Sequence, residues 1–129
     1  MATIDVIGQI KHDFQDVAND PRVQGVLLYG SQLTRYKTSR SDIDICIVVP
    51  GQDLPTMYSF VMNSVEANLD QYDIRFFEEL PLHVQGNIIE NGKVIYARDE
   101  PGLYEYFFQF RKLWEDQKWR LHRLAMTYL

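Results

Sequence analysis

The stretch that decides the fold is LLYGSQLTRYKTSRSDIDICIVV, residues 27–49. Its first residues are apolar and predict a buried strand, which Gly30 and Ser31 interrupt. Ten residues later the chain returns as Asp42-Ile43-Asp44, followed by an apolar run that is rich in β-branched residues. Such a run is typical of a strand buried on both faces. The segment therefore predicts two strands joined by a polar loop, with a glycine turn after the first and two acids at the head of the second.

The turn and the acids suggest chemistry when they are taken together. Glycine lets a phosphate approach the backbone, and the amides of a helix start, with the Ser31 hydroxyl, can donate hydrogen bonds to an anion. Alternate residues of a strand share a face, so Asp42 and Asp44 project together while Ile43 points into the core. Two neighbouring carboxylates repel each other unless a cation holds them. Hard oxygen ligands of this kind suit Mg²⁺, or Mn²⁺ in its place.

A third acid, Asp73, lies in the apolar stretch Tyr72–Phe77, which predicts another strand. If that strand is a neighbour of the first pair, Asp73 lies beside Asp42 and Asp44. Three carboxylates with a phosphate-binding turn are what a two-metal nucleotidyl transfer needs. Each part alone has an ordinary structural explanation as a turn, a strand cap or a surface residue. Their conjunction favours the catalytic interpretation.

The rest of the chain predicts one α/β domain. Periodicity and turn residues predict helices over residues 4–18, 53–69 and 81–90, a short helix within 31–37, strands over 23–29, 42–49 and 93–97, and a last helix after Pro101-Gly102. The length of 129 residues, with 46% hydrophobic residues, fits a single core. We expect that core to span about residues 4–98, with a helical extension over about 102–128.

Composition excludes several classes of protein. The longest apolar run, Ile45 to Val49, is far shorter than the roughly 20 residues of a membrane helix. No basic start followed by an apolar stretch is visible, so we expect no secretory signal and a cytoplasmic setting. Cys46 is the only cysteine, which rules out an internal disulfide and a cysteine-based zinc site. We expect Cys46 to fill the core, and His12, His83 and His122, far apart in the sequence, to have no metal role.

The net charge of −5 argues against a general nucleic-acid binder. Basic residues are nevertheless concentrated in two places. One is the loop with Arg35, Lys37 and Arg40, and the other is the segment 111–123, with five basic residues against two acids. Either could bind an anionic group, and either could equally be an ordinary solvated surface. The C-terminal helix also carries aromatic residues on more than one side, which favours a homo-oligomer contact or a partner contact.

Gly30-Ser31, ten intervening residues and Asp42-Ile43-Asp44 resemble the signature of the DNA polymerase beta-like nucleotidyltransferase superfamily. The short length is similar to that of the minimal nucleotidyltransferases, the MNT proteins that pair with HEPN proteins in prokaryotic toxin–antitoxin modules. The resemblance covers residues from about 4 to about 98. It implies an α/β (α+β) nucleotidyltransferase fold, with a mixed β-sheet, helices packed on its outer side and an exposed catalytic face.

The resemblance also implies roles for residues. Asp42, Asp44 and Asp73 correspond to the catalytic, metal-binding carboxylates, and Gly30 and Ser31 to the turn that binds the triphosphate. The implied reaction is attack of a hydroxyl on the α-phosphate of magnesium-bound ATP, with release of pyrophosphate. In the MNT branch, the implied acceptor is a tyrosine of the HEPN toxin, which the transfer silences.

One position departs from the family pattern. Many members carry arginine directly after Gly-Ser, whereas this chain has Gln32. Arg35, Lys37 and Arg40 are the candidates to replace the missing phosphate contact, and Ser41 is a further candidate nucleotide-binding residue. Two other functions stay open on sequence grounds. One is transfer to a small-molecule acceptor, for which no second domain is evident. The other is an antitoxin that neutralises its partner by contact and keeps only a vestigial nucleotide site.

Overall fold

The computed structural model describes residues 3–30 and 43–128. Within these ranges the chain alternates helices and short strands. The elements are α1 (Thr3–Asp13), α2 (Gln15–Asn19), β1 (Gly25–Tyr29), β2 (Ile43–Val48), α3 (Leu54–Ser64), β3 (Tyr72–Phe76), α4 (Leu82–Asn91), β4 (Lys93–Ala97) and α5 (Glu100–Tyr128). Short 3₁₀ helices, Glu66–Gln71 and Phe77–Glu79, flank β3.

The four strands form one mixed sheet in the order β3-β2-β1-β4. β1 pairs antiparallel with both β2 and β4, whereas β2 and β3 run parallel. Parallel pairing needs a crossover connection, and α3 with the following 3₁₀ helix supplies it. The predicted fold class, a mixed sheet with packed helices and a C-terminal helix, is confirmed.

Helices cover the sheet on both faces. Ile45 and Ile47 point to the face covered by α1, α2 and α3, where Ile10, Val17 and Met57 are fully buried. The alternate residues Cys46 and Val48 point to the other face, in a second cluster with residues of α4 and α5, among them Ile88, Leu103 and Phe107. This alternation is the period of two expected for a strand buried on both sides.

Several boundaries differ from the sequence prediction by one or two residues, such as the start of β1 at Gly25 rather than at residue 23. Three differences in helices have identifiable features. The first helix is interrupted at Phe14, so that α1 and α2 are separate elements. The predicted helix 53–69 begins as expected, with the Asp53 carboxylate accepting a hydrogen bond from the Thr56 amide, but α3 ends at Ser64 and a 3₁₀ helix follows. The last helix already includes Pro101, because proline is well tolerated in the first turn of a helix. The predicted helix within 31–37 lies outside the described residues.

Several contacts hold α5 on the body of the protein in addition to its residues in the second hydrophobic cluster. The half-buried Glu78 carboxylate accepts hydrogen bonds from the Val49 amide (3.0 Å) and from the Tyr106 hydroxyl of α5 (2.8 Å). Further along, the Trp114 ring lies on Gly86 of α4 so closely that a Cβ at position 86 would overlap it.

Within residues 3–30 and 43–128, no helix combines the length and apolar character that crossing a membrane requires.

Candidate active site

Three residues form a row across the sheet. Tyr29 of β1 pairs in register with Asp44 of β2, and Asp44 pairs in register with Asp73 of β3. Register partners on adjacent strands point to the same face, with strands about 4.8 Å apart. The two carboxylates are therefore direct neighbours, as the position of Asp73 in its strand predicted. Both carboxylates are partly exposed, and Tyr29 beside them packs against the edge of the second hydrophobic cluster.

Gly30 closes one side of this row. Its φ of +76° is in the left-handed region that favours glycine. A Cβ at this position would overlap the Asp44 carboxylate, whose Cγ would be only 3.1 Å away. The end of β1 therefore lies directly against the carboxylate of β2. Only a residue without a side chain allows this approach.

Arg75 lies on the other side of the row and was not a predicted site residue. Its Nε donates to Asp73 Oδ1 at 3.3 Å, and the two side chains are 52% and 41% exposed. The sequence did carry a signal for it, because Arg75 follows Asp73 by two residues in a strand and so shares its face. The Asp73 carboxylate is the first cause of a raised pKa of the Arg75 guanidinium.

Tyr29 is the second residue that sequence reasoning missed. Burial raises the pKa of its hydroxyl above the ordinary value, and the negative charges of Asp44 and Asp73 raise that pKa further. Tyr29 therefore stays protonated at neutral pH. A protonated hydroxyl beside two carboxylates can still donate a hydrogen bond to an anion.

The donor set fits magnesium. Asp44 and Asp73 offer carboxylate oxygens on one face of the sheet, and Mg²⁺ is bound in proteins through one or two carboxylates together with substrate phosphates. Among residues 3–30 and 43–128, no three histidine, cysteine or acidic side chains cluster in a way that could hold a metal ion. The predicted third ligand, Asp42, lies outside these residues.

The other predicted nucleotide contacts, Ser31, Arg35, Arg40 and Ser41, also lie outside the described residues. The described part of the site thus consists of Gly30, Asp44 and Asp73, with Tyr29 and Arg75 beside them. Cys46 is fully buried in the second hydrophobic cluster, as expected for a core residue.

The last turns of α5 form a second surface of interest. Lys118 pairs with Glu90 of α4 at 2.9 Å and lies over the Trp114 ring at 5.4 Å. Beyond this pair, the side chains of residues 119–126, here called the distal segment, are all exposed. They include large apolar side chains that are more than half exposed, namely Trp119, Leu121, Leu124 and Met126. Arg123 lies over the Trp119 ring, with its Cζ 4.8 Å from the ring centre.

The chain matches a known protein family and a relative from an archaeon. The family described as "Polymerase beta, Nucleotidyltransferase" matches residues 9–101. A protein of Methanocaldococcus jannaschii, named "Putative protein adenylyltransferase", is 46% identical over 100 residues, which is 78% of this chain and 76% of the relative.

Solved structures share the fold at low sequence identity. A toxin–antitoxin structure with AMP-PNP matches with a TM-score of 0.63 at 17% identity, covering 95% of this chain and 94% of the matched chain. A tri-AMPylated Shewanella oneidensis HEPN toxin in complex with its MNT antitoxin matches with a TM-score of 0.61 at 16% identity, covering 94% and 92%.

Proposed function

The chain belongs to the polymerase beta nucleotidyltransferase family, and we propose that it transfers AMP from ATP to a hydroxyl of a partner protein. The observation that carries the proposal is the direct pairing of Asp44 with Asp73, with Gly30 packed against Asp44. Asp42, two residues before Asp44 in the sequence, is proposed as the third carboxylate.

In this proposal different residues of the chain bind the nucleotide, hold the metal and accept the proton. Gly30 and Ser31 bind the triphosphate through backbone amides and the serine hydroxyl, helped by Arg35, Arg40 or Ser41. Magnesium held by the carboxylates would neutralise charge on the phosphates. Asp73, at the end of the row farthest from Gly30, accepts the proton of the attacking hydroxyl. A bond forms between that oxygen and the α-phosphorus, the bond to the β-phosphate breaks, and pyrophosphate leaves.

We propose that the acceptor is a tyrosine hydroxyl of a HEPN-type toxin and that the chain is its antitoxin. The name of the archaeal relative supports a protein acceptor. The likeness in fold to an MNT antitoxin bound to an AMPylated HEPN toxin supports the kind of partner. The distal segment of α5 offers exposed aromatic and basic residues where such a partner, or a second copy of this chain, can dock.

The experiment is to incubate the purified chain with ATP, Mg²⁺ and a HEPN-type protein encoded beside it, and to measure intact masses. The proposal expects the HEPN protein to gain the mass of one or more AMP groups, located on tyrosine by fragmentation. Inhibition of the HEPN protein without any mass gain would instead support the contact antitoxin. Transfer to added amino alcohols and not to protein would support the small-molecule enzyme.

A further inference from the structure

Arg75 lies beside the carboxylates, and the proposed function gives it no role in the reaction. We propose that Arg75 is a positioning residue for Asp73: it holds one carboxylate oxygen, so that the other faces the acceptor hydroxyl. The inference rests on the proposed transfer reaction, and it concerns the acceptor half of that reaction only.

Arg75 lies two strands away from the turn that is proposed to bind the triphosphate. The row across the sheet runs from Tyr29 through Asp44 to Asp73, and Gly30 follows Tyr29 at the β1 end. Arg75 lies at the opposite end, on edge strand β3. The proposed triphosphate site is at Gly30 and Ser31, two strands away. A side chain bound to Asp73 is therefore placed to act on the acceptor side.

The geometry of the contact leaves the chemistry of Asp73 open. The ion pair joins Arg75 Nε to Asp73 Oδ1, so Oδ2 is not engaged by this contact. A carboxylate with one oxygen held has fewer orientations to sample, and a fixed orientation is what a proton acceptor needs. Asp73 can thus be fixed and reactive at the same time.

Folding does not account for the pair. Both side chains are about half exposed, and an ion pair with this exposure contributes little to stability. A similar Asp-x-Arg pair occurs elsewhere, where Arg22 binds Asp20 through Nε and Nη2, both at 2.9 Å, just before β1. That pair lies at the end of β1 opposite to Gly30, so it provides a control with the same sequence spacing.

Metal affinity gives a readout that does not depend on turnover. Arg75 brings a positive charge next to a carboxylate of the metal site, and a neighbouring cation weakens the binding of a divalent ion. Removing it should strengthen binding of Mn²⁺ by about threefold, from Coulomb's law at a partly exposed site. A residue that merely supports the local fold would weaken both metal binding and turnover when it is removed.

The test compares Arg75→Met, Arg75→Lys and Arg22→Met in the full chain, with folding checked by circular dichroism. We expect Arg75→Met to lower kcat about tenfold, to leave the Kd of ATP within about twofold, and to bind Mn²⁺ more tightly. Arg75→Lys keeps the positive charge, so its Mn²⁺ affinity should equal that of the parent. Its kcat should lie between the values of Arg75→Met and the parent. Arg22→Met should behave as the parent in all three measurements.

Three results would overturn the inference. They are a kcat of Arg75→Met within twofold of the parent, a rise in the Kd of ATP at unchanged kcat, and an unchanged or weaker affinity for Mn²⁺. The last is measured without turnover, so it decides the inference even if no acceptor is found. A parent chain that binds Mn²⁺ and ATP but transfers nothing would count against the proposed function. The Mn²⁺ measurement would still test the inference on Arg75 in that case.

Discussion

Gly30 and Asp44 lie so close together that position 30 has no room for a side chain. A Cβ on Gly30 would overlap Oδ2 of Asp44. The end of β1 and the first acid of β2 are thus one structural unit, and the turn that is proposed to bind the triphosphate is fixed against a carboxylate that is proposed to bind the metal. This relationship makes the glycine of the Gly-Ser pair a test of the site.

Gly30→Ala should damage both stability and transfer. Alanine at positive φ costs about 1–2 kcal/mol, and the overlap with Asp44 adds to that cost and displaces the carboxylate. Gly51→Ala is the matched control, because Gly51 has a φ of +71° but nothing within 4 Å of an added Cβ. Urea unfolding should show a loss for both variants, larger for Gly30→Ala. AMP transfer should fall only in Gly30→Ala, and an equal fall in both would contradict the assignment.

A second pair of glycines tests how α5 is held. Gly86→Ala should destabilise the protein although alanine is the better helix former, since its Cβ would overlap the Trp114 ring. Gly8→Ala in α1 is the control, because nothing lies within 4 Å of a Cβ there. That change should stabilise the protein by up to about 1 kcal/mol. Thermal unfolding measures the stability of both variants. If Gly86→Ala is as stable as Gly8→Ala, the close packing of the Trp114 ring on Gly86 does not hold α5 in place.

Glu78 predicts a pH dependence of stability. Burial raises the pKa of its carboxyl, and the hydrogen bonds from Val49 and Tyr106 oppose that rise only in part. A carboxyl with a higher pKa in the folded protein contributes stability that is complete below the unfolded pKa, about 4.3, and is lost as the pH rises through the folded pKa. Glu78→Gln cannot titrate at this position. Its stability relative to the parent should therefore increase as the pH rises from the unfolded pKa through the folded pKa of Glu78.

Urea unfolding of parent and variant at a series of pH values from about 4 upward measures this difference. A constant difference between parent and Glu78→Gln would show that the raised pKa does not govern stability.

The distal segment of α5 predicts an effect on assembly. Trp119→Ala with Arg120→Glu should weaken association, because aromatic and arginine anchors contribute about 2 kcal/mol or more each in interfaces where they dominate. ATP affinity should stay near that of the parent, since separated sites are approximately additive. Light scattering with and without the HEPN-type protein gives the masses.

The control for assembly is Phe108→Ala with Lys112→Glu. Lys112 lies over the exposed Phe108 ring, with Nζ 5.8 Å from its centre, so this is the same kind of pair nearer the body of the protein. It should keep the parent's mass and partner affinity. If the distal variant also keeps them, the segment is not an interface.

The sequence predicted the part of the site that depends on local periodicity. Strand alternation and the run after Asp44 were sufficient to place Ile43 in the core and Asp44 on the opposite face. Which residues lie beside Asp73 depends on which strands pair with its own strand. We assumed from the sequence that the strand of Asp73 is adjacent to the strand of Asp44, and the pairing of β2 with β3 confirms this. The roles of these carboxylates remain predictions.

Other features depend on contacts between residues distant in sequence. Nothing in the local pattern around Gly86 shows that the Trp114 ring, 28 residues later, takes the place of a side chain. The break at Phe14 was hidden as well, because the apolar spacing continues across it from Ile10 to Val17. Periodicity shows which face of a helix is buried. It does not reveal an interruption of the helix that keeps the same face inward.

We propose above all that Asp42, Asp44 and Asp73 together carry out the transfer of AMP. This proposal is tested most directly by the rate of transfer from labelled ATP to the HEPN-type protein by Asp42→Asn with Asp44→Asn, beside the exposed control Asp16→Asn. The amides keep the size of the side chains and remove their mutual repulsion, so the double variant should fold with equal or slightly higher stability. We predict that it transfers no AMP, while Asp16→Asn transfers at the parent's rate. A folded double variant that transfers AMP as fast as the parent would contradict the account.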